Sequence, residues 1–234
     1  MRVGIDEAGR GPLLGPMVVA AVAAPASVFE ELREAGVRDS KELSRHRREE
    51  LYRLIVSKAS YVGAVYVPPE TIDSVNLNTL ERDTFAYLLS RILGILGGVE
   101  HVFVDAVGSP RKIVEALRRT GYRGAVTAEP GADRRYVEVS AASIVAKVLR
   151  DRAIDELREK YGVRGSGYPT DPETLSWLRE AYARSPRQPP PFIRRSWGTL
   201  RRLAPGWYRP KMIHGGGQVT LDYFFSKRRL ESTE

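Results

Sequence analysis

The opening twelve residues restrict the fold more than any other stretch of the chain. A short apolar run, Val3 to Ile5, delivers two adjacent carboxylates, Asp6 and Glu7, and then breaks into Gly9-Arg10-Gly11-Pro12, where a regular strand cannot continue. Successive side chains on a strand point to opposite faces, so the two acids are expected to serve one centre only where the strand ends or bulges. Glycine lets main-chain groups approach a ligand closely, and Arg10 between the glycines offers a planar fork for phosphate. An Asp-Glu pair alone is as readily a solvated turn after an edge strand, but the acids and glycines elsewhere in the chain argue for a reactive site.

Met17 to Ala24 is a continuous apolar run stopped by Pro25, which reads as a buried strand paired with the first as a hairpin. Tyr61 to Val67 alternates as a third strand, His101 to Asp105 forms a fourth and Ala125 to Thr127 a fifth. Apolar spacing predicts helices over 27–35, from a Ser44 cap to about Ser60, over 72–98 as one long helix, over 111–120 and over 140–161. Thr170 to Thr174 caps a further helix, and Pro189 to Leu203 is expected to form the last. Hairpin-linked strands followed by a βαβ crossover describe an α/β fold, a mixed five-stranded sheet flanked by helices with a small C-terminal helical subdomain. The expected division is a catalytic unit over 1–165, the helical subdomain over 166–205, and a mobile tail over 206–234.

Three acidic points stand at the ends of apolar segments: Asp6-Glu7, Asp105, and Asp133 in the turn before the long helix. Carboxylates brought to strand ends in an α/β sheet can converge although they are far apart in sequence, whereas any one of them alone is more often a helix cap or loop carboxylate. The chain has no cysteine and three scattered histidines, so a metal must sit on oxygen ligands. Hard oxygen donors suit Mg²⁺ or Mn²⁺, and two ions about 4 Å apart would hold the attacking and leaving oxygens of a phosphodiester hydrolysis. Glu129 is a rival ligand near Asp133. Lys+Arg 37 against Asp+Glu 29, a net charge of +8, favours an anionic partner such as nucleic acid. No signal-peptide pattern or bilayer-length apolar run is present, so a soluble cytoplasmic protein is expected, and nothing demands an oligomer, so a monomer is expected.

Ile5 to Gly11 with Pro12 and Gly15-Pro16 resembles the signature of the type 2 ribonucleases H, and Val139-Ser-Ala-Ala-Ser-Ile-Val-Ala-Lys-Val-Leu-Arg-Asp151 resembles the helix motif of the same family. The resemblance implies the ribonuclease H fold, with Asp6, Glu7, Asp105 and Asp133 as catalytic metal ligands. One departure is Gly131, standing where family members commonly carry the lysine of a Lys-Ala-Asp tripeptide. The implied substrates are RNA–DNA hybrids and single ribonucleotides embedded in duplex DNA. The implied incision falls on the 5′ side and leaves 3′-hydroxyl and 5′-phosphate ends. Such an enzyme must sense the 2′-hydroxyl, and the resemblance gives this role to the main chain of Gly9, Arg10 and Gly11. It also implies that Tyr168 lies against the sugar of the next nucleotide, although on the residues alone an aromatic in a Gly/Pro turn is more often packing than function. Lys41 and Asn76 are phosphate contacts by the same analogy, with helix capping the alternative.

After Gly215-Gly216-Gly217, the run Gln218-Val-Thr-Leu221-Asp-Tyr-Phe224-Phe225 is similar to the motif by which replication proteins dock on a ring-shaped sliding clamp. On one helical turn Leu221, Phe224 and Phe225 share a face and form an apolar plug, unless they fold back on their own core. The tether suggests an archaeal-like setting. Two other classes compete. A dinucleotide-binding oxidoreductase fails because Gly15 is wrongly spaced as a third glycine and Pro12 interrupts the loop. A non-catalytic clamp-binding adaptor is separated by one assay, divalent-metal-dependent cleavage. A neighbouring ribonuclease H type with an added N-terminal domain is disfavoured, because this chain starts at the catalytic strand.

Overall fold

Five strands form one mixed sheet in the order β3-β2-β1-β4-β5, and the opening strand lies at its centre. The computed structural model describes residues 1–38 and 43–211. Lys41 and the 218–225 motif lie outside the described residues. Strand β1 (Arg2–Ala8) pairs antiparallel with β2 (Met17–Ala24), which pairs antiparallel with β3 (Tyr61–Val67). On the other side β4 (His101–Asp105) runs parallel to β1, and β5 (Ala125–Glu129) parallel to β4. Every residue of β2 is buried, as its unbroken apolar sequence requires of a strand covered on both faces.

Alternation along the strands divides the interior in two. Val3, Ile5, Val19, Val102 and Val104 face α4 (Leu77–Leu96) and α5 (Pro110–Arg119), while Val18, Ala20 and Val22 face α1 (Ala26–Glu34), α2 (Arg45–Lys58) and α6 (Val137–Tyr161). Helix α6 lies hard against β1: a Cβ built on Gly4 would stand 1.8 Å from the Glu138 carbonyl oxygen. Only glycine permits that approach, and it draws the small-residue segment Ser140 to Ser143 toward the carboxylates of β1.

The expected helix over 72–98 is two helices, α3 (Pro69–Ser74) and α4. Asn76 breaks it, its side chain accepting from the N–H groups of Asn78 and Thr79 at 3.0 and 3.3 Å. The expected helix over Pro189 to Leu203 shrinks to α8 (Gly198–Leu203), since Pro189-Pro190-Pro191 supplies no N–H donors to a helical ladder. A tail mobile from residue 206 is the expectation from sequence, yet Trp207 is fully buried. It meets Tyr182 edge-on at 5.4 Å and donates Nε1–H to the Ser185 carbonyl. Helix α7 (Pro172–Arg184), capped by Asp171, packs with Trp207, Phe192 and Ile193 in a third cluster that also takes Leu13 and Leu14 from the opening loop. No helix of the described residues is long and apolar enough to cross a membrane.

Candidate active site

Parallel pairing of β1 and β4 puts Asp6 and Asp105 side by side at one end of the sheet. The last β1–β4 pair is Ile5 with Val104, so both aspartates lie just past the ladder. Phe103 packs with Val139 of α6, and alternation sends Asp105 to that same face. The Asp105 carboxylate accepts from the N–H groups of Gly131 and Ala132 at 2.7 and 3.2 Å, tying down the turn that follows β5. Gly131 adopts φ 68°, ψ 29°, so the residue that departs from the family pattern sits where glycine carries no strain. A 3₁₀ turn then presents Asp133, whose carbonyl accepts from the Ser140 hydroxyl at 2.6 Å. Oxygens of Asp6, Asp105 and Asp133 all lie within 4.8 Å of one another. Glu129 stands opposite Asp105 in the β4–β5 register but pairs with Arg135 at 3.1 Å and is outside that group.

Glu7 lies outside that group of three aspartates but lines the same cleft from the opposite face of β1. Pairing with β2 runs on without interruption through Ala8, so the strand neither ends nor bulges at the acids, contrary to the sequence expectation. Glu7 turns to the α4 side, where it meets Glu81, a buried acid. Glu81 is paired with Arg10, and the second terminal nitrogen of Arg10 donates to the Asn78 side chain. The fork expected to meet phosphate is thus turned toward the protein. Sequence reading misses Glu81, although the apolar stripe Leu77, Leu80, Phe85 and Leu88 of α4 has one acid in it, and a lone carboxylate on a buried stripe is a signal.

Burial, and then the charge of Glu7, raise the Asp6 carboxyl well above its ordinary value, against a hydrogen bond from Ser143. Burial, followed by the charges of Glu81 and Asp105, pushes Glu7 up to about 8, and burial pushes Glu81 up to about 7. Glu7 Oε2 is buried without a hydrogen-bond partner among the described residues. An all-oxygen donor set, an orphaned carboxylate oxygen and acids that resist ionisation fit a hard divalent cation. These carboxyls hold protons more tightly folded than unfolded, so the metal-free native state binds the extra protons between about pH 4.5 and about 8. Stability without metal is therefore expected to fall as pH rises through that window. Mg²⁺ competes with those protons and is expected to raise the denaturation midpoint more near pH 8 than near pH 6. A flat metal-free profile with no Mg²⁺ effect would contradict this.

The carboxylates open into a cleft of about 580 Å³, lined also by Gly9, Arg10, Gly11 and Tyr168. Tyr168 is 38% exposed and its ring lies 5.3 Å from the Arg150 guanidinium, so it faces the cleft and is not core packing. Arg48, Lys147 and Arg150 give the same cleft a cationic wall that sequence reading does not single out, although Lys147 and Arg150 belong to the helix motif over 139–151. Asn76 caps α4 and is not among the lining residues.

A protein-family model described as Ribonuclease HII matches residues 3–200. Ribonuclease HII of Hyperthermus butylicus is 53% identical over 232 residues, covering 97% of this chain and 96% of that protein. Ribonuclease HII of Pyrococcus furiosus is 43% identical over 226 residues, covering 96% and 98%. Among solved structures, ribonuclease H2 from Pyrococcus horikoshii OT3 superposes with a TM-score of 0.80 at 38% identity, covering 88% of this chain and 98% of that one. The PCNA:RNase HII complex from Archaeoglobus fulgidus gives a TM-score of 0.76 at 39% identity, covering 87% and 96%.

Proposed function

The chain belongs to the ribonuclease HII family, a family of nucleases, and from that premise we propose that it incises the RNA strand of RNA–DNA hybrids and cuts 5′ to single ribonucleotides in duplex DNA by two-metal-ion hydrolysis. The observation that carries this reading is the convergence of Asp6, Asp105 and Asp133 in a cleft that also presents the Gly9–Gly11 main chain and Tyr168. The three aspartates, with Glu7 from the other side of the strand, would hold the ions. Two divalent cations bound there would supply the Lewis-acid charge that makes water nucleophilic near neutral pH and steadies the departing 3′-oxygen.

The protein's own groups do the rest. Main-chain groups of Gly9, Arg10 and Gly11 meet the 2′-hydroxyl, and the Tyr168 ring, backed by Arg150, lies against the following sugar and favours one lacking that hydroxyl. Arg48, Lys147 and Arg150 neutralise backbone phosphates along the cleft. Gln218, Leu221, Phe224 and Phe225 form the docking segment for a sliding clamp of the type seen with the Archaeoglobus relative.

A DNA duplex carrying one ribonucleotide tests the reading. One incision 5′ to it, with 3′-hydroxyl and 5′-phosphate ends, is expected with Mg²⁺ or Mn²⁺ and none with chelator. Folded protein that cuts under neither metal would leave a clamp-binding adaptor as the better account. Co-elution with a sliding clamp is expected to be lost on Phe224→Ala together with Phe225→Ala; clamp binding unchanged by that pair would sink the docking assignment.

A further inference from the structure

Arg194 is fully buried, 184 residues from the loop it serves. Its Nη2 donates to the Gly9 carbonyl at 2.6 Å, its Nη1 to the Arg10 carbonyl at 3.0 Å and its Nε to the Gly15 carbonyl at 3.0 Å. Trp197, under the same guanidinium at 5.2 Å, donates Nε1–H to the Gly11 carbonyl at 3.0 Å. Every carbonyl of Gly9-Arg10-Gly11 is therefore held by two side chains from the C-terminal part of the protein.

These side chains stand on a braced segment. The Asp73 carboxylate accepts from the N–H groups of Arg195 and Ser196 and from the Ser196 hydroxyl, at 2.6–3.0 Å. Main-chain bonds from Arg194 to Leu13 and from Gly15 to Phe192 stitch the opening loop to it. Among the described residues the Arg194 guanidinium donates to carbonyls and to no carboxylate, a costly burial compared with an ion pair, so it calls for a reason.

Peptide geometry supplies one. The described chain has no cis peptide, and in a trans peptide the C=O and N–H of one unit point in opposite directions. Drawing the Gly9 and Arg10 carbonyls toward Arg194 turns the N–H groups of Arg10 and Gly11 away from it. We infer that Arg194, with Trp197 beside it, is a positioning residue that fixes the orientation of the Gly9–Gly11 main chain and thereby sets how sharply the enzyme separates a ribonucleotide from a deoxyribonucleotide. This rests on the reading that the loop meets the 2′-hydroxyl.

The experiment measures Kd of the full chain for a duplex with one ribonucleotide and for the all-DNA duplex of the same sequence. Ca²⁺ replaces Mg²⁺, to keep the site charged without turnover. The readout is the ratio of the two constants, which a general loss of stability leaves unmoved because it weakens both. Arg194→Gln is expected to lower the ratio about tenfold, the equivalent of one misplaced hydrogen bond, and Arg194→Lys to restore part of it. Trp197→Phe keeps the ring, removes only the donor to Gly11, and is expected to lower the ratio several-fold. If Arg194 variants do not fold, Trp197→Phe decides. A wild type that discriminates, with variants whose ratio stays within about twofold of it, overturns the inference. A wild type that does not discriminate overturns instead the underlying reading of the loop.

Discussion

Asparagine at position 105 is expected to give a folded protein whose cleavage rate is down by about a thousandfold. The substitution keeps an oxygen where Asp105 Oδ1 now accepts from Gly131 and Ala132, so the turn that delivers Asp133 stays in place. What goes is one of three carboxylate charges clustered with Asp6 and Asp133, and with it affinity of the site for a divalent cation. Alanine at the same position separates the two roles of the residue. It removes both bonds to the turn and is expected to lose about 3 kcal/mol of stability in addition to activity. Single-turnover cleavage and urea denaturation of the two variants, run together, check this. An asparagine variant as active as wild type would remove Asp105 from the chemistry.

Replacing Gly4 by alanine is expected to have the largest effect on stability, at least about 4 kcal/mol, which for a chain of this size is roughly 10 °C or more of Tm. The new methyl would stand 1.8 Å from the Glu138 carbonyl oxygen and 2.7 Å from the Val139 nitrogen, both main-chain atoms of a helix that cannot swing aside as a side chain does. Helix α6 would have to retreat by roughly 1.5 Å across a close-packed interface. Ser143 then moves off Asp6, and the turn carrying Asp133 shifts with the helix start, so folded variant protein is expected to cut poorly as well. Thermal unfolding and cleavage, measured together, check both parts. A variant with unchanged Tm would mean that the helix leaves room for a methyl group against the strand.

Local pattern carries most of the fold. The bounds of β2, β3 and β4 are readable because each is an apolar run with a proline or a charged residue at its end, and the Ser44 cap is readable from one polar residue before a periodic segment. The break at Asn76 is not, because Ile72, Val75 and Leu80 keep helical spacing across it and periodicity does not register a cap inside a stripe. Convergence of Asp6, Asp105 and Asp133 is legible as acids at segment ends. The separation of Glu7 from them is obscured by the glycines just beyond it, which suggest a bulge where the ladder is regular. Arg194 is beyond local reading: its acceptors are 179 to 185 residues away, and an arginine before another arginine resembles any basic surface.

The separation between Gly9 and Arg194 also bears on timing. During synthesis the two aspartate-bearing strands and the helix behind them emerge well before residue 194, so the clustered acids can assemble while the loop beside them is still without its struts. At about 5–20 residues per second, the 33 residues from Tyr161, the end of α6, to Arg194 amount to roughly 2 to 7 seconds. In that interval the nascent chain has its clustered aspartates but not the struts of the loop beside them, so on the inferred role of Arg194 any selectivity for the sugar would be acquired after the acids are in place.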